Sequence, residues 1–249
     1  MKRLVAWIEA QFGRTCCRET VRRALQRLKL SWKKAKKFLG RADPERREAF
    51  VTQIQDVLKG ALENRHVLVY LDEAHIHLDA DAGYGWSVCG ERLWVCSRSP
   101  KLSDRVSFYG LYLYNLGQTE IWPYPRANGD YTKEALDRLR QRFPSRPIQL
   151  VWDGAPYHRA AGVREHAARL NIDLIPLPGY SPDFMPVEAL WRWLREDVTY
   201  HHCHTSTAEL IDRVEMFRQG INANPCEVAD RLWVKDALDP SEEKLRIPK

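Results

Sequence analysis

Residues 66–73 read HVLVYLDE and residues 148–153 read IQLVWD, two short apolar runs that each end in acidic residues. Continuous apolar runs of this length are typical of strands that are buried on both faces of a sheet. We therefore predict two core strands, with Asp72 at the end of the first and Asp153 at the end of the second. Ligand sites of open α/β sheets lie at the carboxyl ends of strands, so a functional site is expected at this edge.

The rest of the chain after residue 65 predicts a mixed sheet flanked by helices. Short apolar segments between turn residues favour an antiparallel meander, and segments with helical spacing favour helices. The expected strands span 85–88, 92–96, 106–115, 121–123 and 172–177, and the expected helices span 133–143, 163–170 and a segment beginning at Pro186. A meander followed by alternating strands and helices indicates the α/β fold class.

A third acidic residue, Glu188, falls in the first turn of the last expected helix. The partial positive charge of a helix N-terminus favours the ionised form of its side chain. Three carboxylates that converge on one site stay ionised together only if a cation compensates their charge, and such oxygen ligands suit Mg²⁺ or Mn²⁺. Each acid also has a purely structural explanation, as a strand end, a turn or, for Glu188, a surface ion pair with Arg192.

Positive charge is concentrated at the start of the chain. The 249 residues include 39 Lys and Arg against 33 Asp and Glu, a net charge of +6. Residues 1–42 contain thirteen basic and two acidic residues, a net charge of +11, which leaves the remaining chain at −5. A basic segment joined to a slightly acidic body is typical of a nucleic-acid-binding module fused to another domain.

The basic segment has the spacing of two short helices. Leu4, Ile8 and Phe12 recur at helical intervals before Gly13, and we expect Thr15 to cap a second helix. This outlines a helix-turn-helix, with the following basic stretch as a wing; the alternative is a solvated basic hairpin without a ligand. The candidate DNA-binding residues are Arg18, Arg22, Arg23, Arg27, Lys33, Lys34, Lys36 and Lys37.

These features divide the chain into four parts. We predict a DNA-binding segment at 1–42, a linker helix at 43–64, an α/β domain that carries the acidic residues at 65–240 and a tail at 241–249. Asp43 followed by Pro44 is a favourable start for the linker helix.

Composition excludes several classes of protein. Hydrophobic residues make up 44% and charged residues 29% of the chain, which are proportions of a globular rather than a disordered protein. The longest uncharged stretch, 106–119, is too short and too polar for a membrane span, and the N-terminus lacks a signal-peptide pattern. The six cysteines include no CxxC pair, and we expect reduced thiols in a cytoplasmic protein.

Three segments together resemble the catalytic blocks of a known family. Residues 68–76 read LVYLDEAHI, 150–160 read LVWDGAPYHRA and 176–196 read PLPGYSPDFMPVEALWRWLRE. They look like the blocks of bacterial transposases in the mariner superfamily, in particular the insertion sequence 630 family. The third block is the most specific because its YSPD-x-x-P-x-E-x-x-W string is long and irregular. The 34 residues between Asp153 and Glu188 also match the separation typical of that family.

The resemblance implies an RNase H-like catalytic domain of the DDE type that uses two divalent ions. The implied ligands for Mg²⁺ or Mn²⁺ are Asp72, Asp153 and Glu188. His158 matches a histidine common in the second block and is implied as an auxiliary residue. The chain departs from the family pattern at Gly154 and Met185, where asparagines are common, but neither change removes a carboxylate.

The resemblance also implies a function, a set of partners and a missing segment. Such transposases cut transposon ends and join them to target DNA, typically at TA sites. The implied partners are double-stranded DNA with terminal inverted repeats, target DNA and a second copy of the chain in a synapsed dimer at the bacterial nucleoid. Family members usually carry another helix-turn-helix upstream, so we expect this chain to be a truncated copy or one part of a split reading frame.

Two alternative functions compete with transposition. One is a non-catalytic DNA-binding regulator that occupies element ends through residues 1–42; the intact acidic triad argues against it. The other is an RNase H-like nuclease that acts on RNA–DNA hybrids, which the basic segment and the third block disfavour.

Two further groups of residues have weaker functional interpretations. Residues 201–204 read HHCH, a composition that suits zinc, but no second Cys/His pair lies at finger spacing, so the sequence disfavours a zinc site. Trp191 is expected in the core. An exposed position that allows stacking on DNA is one interpretation of Trp193, and the sequence does not favour it.

Overall fold

The computed structural model describes residues 2–31, 41–97 and 104–240. The chain divides into two compact units, Met1–Phe38 and Leu39–Lys249. The described part of the smaller unit contains two helices, α1 (Lys2–Phe12) and α2 (Arg18–Arg27).

The helices of the smaller unit follow the predicted pattern with one correction. Gly13 ends α1 with a φ of +61°, a conformation that glycine adopts without strain. The prediction that Thr15 caps α2 is wrong, because the N-cap of this helix is Cys17. Helical backbone begins only at Arg18, so Thr15 lies outside the position from which a side chain caps a helix.

The arginines predicted to bind DNA lie on the surface of α2. Those exposed are Arg18, Arg22, Arg23 and Arg27. The Glu19 carboxylate accepts hydrogen bonds from Arg22 at 2.6 and 2.8 Å and from Arg23 at 3.2 Å, so it partly neutralises these two side chains. The four candidate lysines lie outside the described residues; they are Lys33, Lys34, Lys36 and Lys37.

The larger unit is built on a five-stranded mixed sheet, which confirms the predicted fold class. The strands are β1 (Val67–His77), β2 (Arg105–Leu113), β3 (Gln118–Tyr124), β4 (Ile148–Trp152) and β5 (Ile172–Pro176). Their order across the sheet is β3-β2-β1-β4-β5. The pairs β1–β2 and β2–β3 are antiparallel, and the pairs β1–β4 and β4–β5 are parallel. This is the arrangement expected of an RNase H-like sheet.

Helices cover both faces of this sheet. They are α3 (Pro44–Leu62), α4 (Gly129–Arg142), α5 (Ala161–Arg169), α6 (Val187–Leu194), α7 (Thr207–Asn222) and α8 (Pro225–Arg231), with a π-helical turn at Arg195–Thr199. Successive side chains of a strand point to opposite faces. Leu68 and Tyr70 accordingly join the core with α3, α6 and α7, whereas Val67 and Val69 join the core with α4 and α5. The apolar runs therefore mark strands buried on both faces.

Strand β1 extends beyond its predicted end. It continues through Asp72 to His77, so the prediction that Asp72 ends the strand is wrong. The antiparallel partner β2 pairs with β1 as far as Arg105 opposite His77, whereas the parallel partner β4 stops at Trp152 opposite Leu71. Asp72 therefore lies one residue beyond the end of the β1–β4 pairing, directly beside Asp153.

The predicted meander is also wrong in part. Residues 85–88 and 92–96 form no strands, and the described part of the β1–β2 connection contains a single bridge, between Asp81 and Tyr200. Trp86 in this segment is 102% exposed, so its side chain does not pack on a sheet. Apolar alternation without a partner surface does not produce a strand.

Helix α3 begins where the sequence predicts. The Asp43 side chain accepts hydrogen bonds from the backbone N–H groups of Glu45 and Arg46, at 3.1 and 3.3 Å. The helix belongs to the larger unit and places Phe50 and Ile54 in the core on one face of the sheet.

A buried arginine on α3 holds the loop that precedes α6. The fully buried Arg47 side chain donates two hydrogen bonds to the Asp183 carboxylate, at 3.0 and 2.9 Å. Lys235 donates to the same carboxylate at 2.7 Å, and the Arg47 guanidinium lies 4.5 Å from the centre of the Phe184 ring. We call Arg47, Asp183 and Lys235 the Asp183 clamp.

Among the helices of the described ranges, none is long and apolar enough to cross a membrane.

Candidate active site

The three predicted acids line one cavity in the larger unit. Asp72, Asp153 and Glu188 share this cavity, whose volume is about 520 Å³. It opens at the edge where β4 ends, and its other walls are the 177–182 segment and the start of α6. The fold therefore gathers residues that lie far apart in the sequence.

Asp72 enters the cavity from β1 on the face covered by α6. The indole N–H of Trp191 donates a hydrogen bond to Asp72 Oδ2 at 3.0 Å. Gly110 of β2 lies opposite Asp72, and a Cβ atom at this position would lie 2.5 Å from the Trp191 ring. The glycine thus leaves the space through which Trp191 reaches the carboxylate. Trp191 is buried, as predicted, and it also orients Asp72.

The environment of Asp72 is crowded with negative charge. Burial, the Glu188 and Glu73 charges and, to a smaller extent, the Asp153 charge raise the pKa of Asp72 to about 7. The hydrogen bond from Trp191 opposes this change without cancelling it. Near neutral pH the carboxyl is therefore only partly ionised, and a cation bound beside it would favour the charged form.

Asp153 follows β4 directly and is held by local hydrogen bonds. Its Oδ1 accepts from the backbone N–H of Ala155 at 2.9 Å and from His158 Nδ1 at 2.7 Å. Burial alone would raise the pKa of Asp153, but these hydrogen bonds outweigh it and hold the pKa below its usual value. These hydrogen bonds therefore favour the ionised form of Asp153.

His158 connects Asp153 to a fourth acid, Glu73. Its Nδ1 donates to Asp153 and its Nε2 donates to Glu73 Oε1 at 2.9 Å. Burial alone would lower the pKa of His158, but the two carboxylates raise it to about 9, so the ring is an imidazolium at neutral pH. The Trp152 ring stacks on it at 4.3 Å and an angle of 10°.

The alternation of side chains along β1 explains why Glu73 and Asp72 have different partners. Adjacent residues point to opposite faces of the sheet, so Glu73 meets His158 on the face opposite Trp191. The sequence predicts a metal-binding role for Asp72 and none for Glu73. The sequence feature that points to Glu73 is its position next to Asp72, together with His158 in the second block.

Glu188 enters the cavity from the first turn of α6. A negative charge at this position is favourable because the helix N-terminus carries a partial positive charge. The preceding 3₁₀ turn, Pro182–Phe184, contains Asp183, so the clamp on that residue also fixes the start of α6. The position of Glu188 thus depends on α3.

The donor set of the cavity fits hard divalent cations. Asp72, Asp153 and Glu188 offer carboxylate oxygens, the ligands preferred by Mg²⁺ and Mn²⁺. Burial and, after it, the charges of Glu188 and Glu73 raise the pKa of Asp72, and a bound cation would offset both effects. A second set, Glu73, Asp153 and His158, brings one donor atom each within 4.8 Å, but here His158 already donates to both acids. The first set is therefore the better candidate for metal binding.

Two exposed side chains at the cavity were not predicted from the sequence. Arg159 and Tyr180 both line it, and Tyr180 is 52% exposed with a φ of +57°. Arginine suits contact with a phosphate, and an exposed aromatic ring suits stacking on a base. Both residues lie inside the blocks quoted above, but neither is an acid, so the search for metal ligands passed over them.

Trp193 does not have the exposed position that stacking on DNA requires. Its side chain is buried, and its indole N–H donates to Asp197 Oδ2 at 3.0 Å. The Phe217 ring lies 5.7 Å away edge-on, and the Arg231 guanidinium lies 4.1 Å from the ring centre. Helices α7 and α8 supply these neighbours and leave no face for stacking on DNA.

Two family models match the chain. A family model described as DDE superfamily endonuclease matches residues 67–211, which include the three acids of the cavity. A model described as winged helix-turn-helix matches residues 1–54, which include the arginines of α2.

Similar proteins come from both sequence and structure comparison. An insertion element IS630 uncharacterized 39 kDa protein from Shigella sonnei is 25% identical over 211 residues. That match covers 83% of this chain and 60% of the relative, so the chain spans well under two thirds of that relative's length.

The structural neighbours include several complexes of the Mos1 transposase. The Mos1 strand transfer complex matches with a TM-score of 0.66 and 15% identity, covering 90% of this chain and 69% of that one. The mariner Mos1 paired end complex with Mg matches with a TM-score of 0.66 and 16% identity, covering 91% and 71%. At this level of identity the likeness shows a shared fold.

Proposed function

The chain belongs to the DDE superfamily of endonucleases, and from this premise we propose that it is a transposase that cuts transposon ends and joins them to target DNA. The observation that carries the proposal is the single cavity in which Asp72, Asp153 and Glu188 meet. Phosphodiester cleavage needs neutralisation of phosphate charge and an activated oxygen nucleophile, and clustered carboxylates meet both needs through bound divalent ions.

We propose that these three acids hold two Mg²⁺ or Mn²⁺ ions. Such ions, when bound, lower the pKa of a water or a DNA 3′-hydroxyl and stabilise the charge on the transferring phosphate. Asp72 and Asp153 come from neighbouring strands, so the sheet fixes their separation. Trp191 orients Asp72, and Glu188 is added from a helix whose start is held by the Asp183 clamp.

The proposed auxiliary role of His158 is to position Asp153. The ring is fixed by Glu73 on one side and by Trp152 stacking on its face, so the hydrogen bond to Asp153 Oδ1 has one geometry. With Oδ1 occupied by His158 and Ala155, Oδ2 is the oxygen left to bind a metal ion.

The proposed partners are double-stranded DNA with terminal inverted repeats and target DNA, with TA as the target site. Arg159 at the cavity would contact the scissile phosphate, and the exposed arginines of α2 would bind the transposon end. We also propose a homodimer when two ends are synapsed, acting at the bacterial nucleoid. The neighbours named as paired end and strand transfer complexes of Mos1 support this choice.

The proposed domain organisation follows the boundaries predicted from sequence. In this proposal residues 1–42 bind DNA and residues 43–64 connect this segment to the catalytic domain. Residues 65–240 catalyse cleavage and joining of DNA, and residues 241–249 form a tail. One structural observation adds to this scheme, because the connecting segment contains α3, which packs in the core of the catalytic unit.

An end-cleavage assay tests the proposed function. We expect the full chain to cut duplexes that carry the ends flanking its reading frame, in the presence of Mg²⁺ or Mn²⁺ and not of EDTA. An unrelated duplex of equal length should remain intact. The freed 3′-ends should join to a plasmid at TA sites, which sequencing of the products would detect.

Other outcomes of this assay identify the competing functions. Specific binding of the ends without cleavage under any divalent ion would indicate a non-catalytic regulator. Cutting of the RNA strand of an RNA–DNA hybrid, without cutting of the ends, would indicate an RNase H-like nuclease.

Replacing His158 with alanine should weaken metal binding at the cavity. Without the imidazolium the Asp153 carboxylate loses its orientation, and loss of such a supporting residue typically costs about 10–100-fold in metal affinity or activity. The Mg²⁺ concentration that gives half-maximal cleavage should therefore rise by about this factor.

The matched control for His158 is His166→Ala. His166 Nε2 lies 2.8 Å from Asp137 Oδ1, a similar His–carboxylate pair that does not line the cavity. Its loss should leave the Mg²⁺ dependence within about twofold, because a distant and independent site does not couple to the cavity. Equal effects of the two substitutions would refute the positioning role of His158.

A further inference from the structure

A second cluster of donor groups lies at the start of α7. His202 Nε2 lies 3.1 Å from Glu209 Oε1, and His204 Nδ1 lies 4.0 Å from the same oxygen. The donor atoms of these three residues all lie within 4.8 Å of one another. None of the three lines the cavity of the catalytic acids.

His204 is the unusual member of this cluster. His204 is 2% exposed, and neither ring nitrogen has a hydrogen bond of normal geometry, although the backbone of Val198 lies near the ring. A buried imidazole without well-formed hydrogen bonds loses those that it would make to water, which destabilises the folded state. His204 Nδ1 is the ring nitrogen nearest Glu209. At 4.0 Å from Glu209 Oε1 it lies too far away for a hydrogen bond.

Glu209 is fixed so that one of its oxygens faces the histidines. Oε2 accepts hydrogen bonds from the backbone N–H and the hydroxyl of Thr205, both at 2.7 Å. The Glu209 backbone N–H donates a hydrogen bond to the Ser206 hydroxyl oxygen at 3.2 Å, and this contact caps the first turn of α7. Oε1 is therefore presented to His202 and His204 by a carboxylate that is already held in place.

We propose that His202, His204 and Glu209 bind a zinc ion. Two imidazole nitrogens and one carboxylate oxygen are a ligand set that suits Zn²⁺, with a water in the fourth position. Imidazole-rich sites favour such borderline metals over Mg²⁺, which selects oxygen ligands. The sequence search for a second Cys/His pair missed this set because its third ligand is a glutamate.

Two neighbouring groups bear on the proposed ion. Burial and the nearby His202 and Arg213 lower the pKa of His204, which leaves the neutral ring that binds metals. The Arg213 Nε lies 3.8 Å from Glu209 Oε1, and its side chain is 43% exposed. Zinc would replace this weak surface contact, and the arginine would turn toward solvent.

The position of the cluster indicates a structural role for the ion. The backbone N–H of His204 bonds to the carbonyl of Leu78, just after β1, at 2.7 Å. Glu209 belongs to α7, which covers the same face of the sheet as α6. Zinc at this point would tie the helix to the end of the strand that carries Asp72.

Zinc binding to the full chain tests the proposal. After removal of metals with EDTA, competition with a chromogenic chelator should show one Zn²⁺ bound per chain with a Kd of about 1 µM or tighter. At zinc concentrations about 100 times Kd, the melting temperature should rise by about 5 °C or more. His202→Gln, at a half-exposed position that tolerates the change, should weaken binding at least about tenfold.

Three matched variants separate this site from others. His201→Ala removes an adjacent histidine whose Nε2 bonds the Gly83 carbonyl, and Cys203→Ser removes the intervening thiol. Both should keep the zinc affinity, as should Asp153→Asn in the catalytic cavity. Absence of binding tighter than about 100 µM would overturn the proposal. So would zinc affinity that survives His202→Gln, or that depends on Cys203 or Asp153.

Discussion

Replacing Asp153 with asparagine is expected to reduce the rate of DNA cleavage at least about 1,000-fold, which corresponds to about 4 kcal/mol of transition-state stabilisation. Asparagine keeps the shape and the hydrogen bond to Ala155 but removes the negative charge that holds a divalent ion. Single-turnover cleavage of end-containing duplexes in Mg²⁺ measures the loss. Binding of the same duplexes should be unchanged, because the arginines proposed to bind the transposon end lie on α2.

Asp173→Asn is the matched control for this loss. Asp173 lies on β5, beside β4, and accepts a hydrogen bond from Gln149 at 2.8 Å outside the cavity. It should retain the full rate. Asp72→Asn and Glu188→Gln should lose activity as Asp153→Asn does. If Asp153→Asn still cuts the ends at a rate near that of the wild type, the assignment of the catalytic acids is wrong.

Replacing Asp183 with alanine is expected to lower the free energy of unfolding by about 3 kcal/mol, within the range for breaking a buried ion pair. The substitution removes the carboxylate and leaves the fully buried Arg47 guanidinium without it. The cost is placed at the lower end of that range because the Phe184 ring still faces the guanidinium. Urea denaturation, followed by tryptophan fluorescence, measures the change.

The two other members of the clamp give a graded comparison. Arg47→Met should cost less than Asp183→Ala, because Asp183 is 31% exposed and keeps Lys235 as a partner. Lys235→Met should cost about 1 kcal/mol or less, as expected for a partly exposed ion pair. If the Asp183 substitution costs no more than the Lys235 substitution, the buried pair is not what holds the loop.

The contribution of Asp183 should also depend on pH in a definite direction. Burial alone would raise the pKa of Asp183, but the hydrogen bonds from Arg47 and Lys235 hold it far below its usual value. A lowered folded pKa gives stability that is present above the unfolded pKa of about 3.9 and is lost as the pH falls below it. The difference in unfolding free energy between wild type and Asp183→Asn should therefore shrink below about pH 4.

The elements of the fold that were predicted correctly are those marked by a continuous stretch of sequence, such as an apolar run. The apolar run ending at Trp152 predicted β4 correctly, because its apolar side chains are buried and no pairing continues past it. Asp72 was placed at the end of a strand because apolar residues stop there. The strand continues because β2 still pairs with it, and pairing with a partner strand leaves no mark on the local composition.

The parts of the site that were missed depend on residues distant in sequence. Glu73 acquires its role only from His158, which lies 85 positions along the chain, and Arg47 from Asp183, 136 positions away. Arginine is strongly polar, so its hydropathy predicts an exposed side chain. The burial of Arg47 is explained only by its partner, Asp183. Long-range partners of this kind are visible in three dimensions and not in local spacing.

The Asp183 clamp sets a limit on how the protein can be dissected. A fragment begun at residue 65 would contain all three acids proposed to be catalytic and the whole of the matched endonuclease region. It would lack α3, so the apolar face that receives Phe50 and Ile54 would be open to water and the segment before Glu188 would lose its anchor. The smallest fragment expected to fold and cut DNA therefore starts at Asp43, and a helix that joins two parts of the chain is also a component of the enzyme.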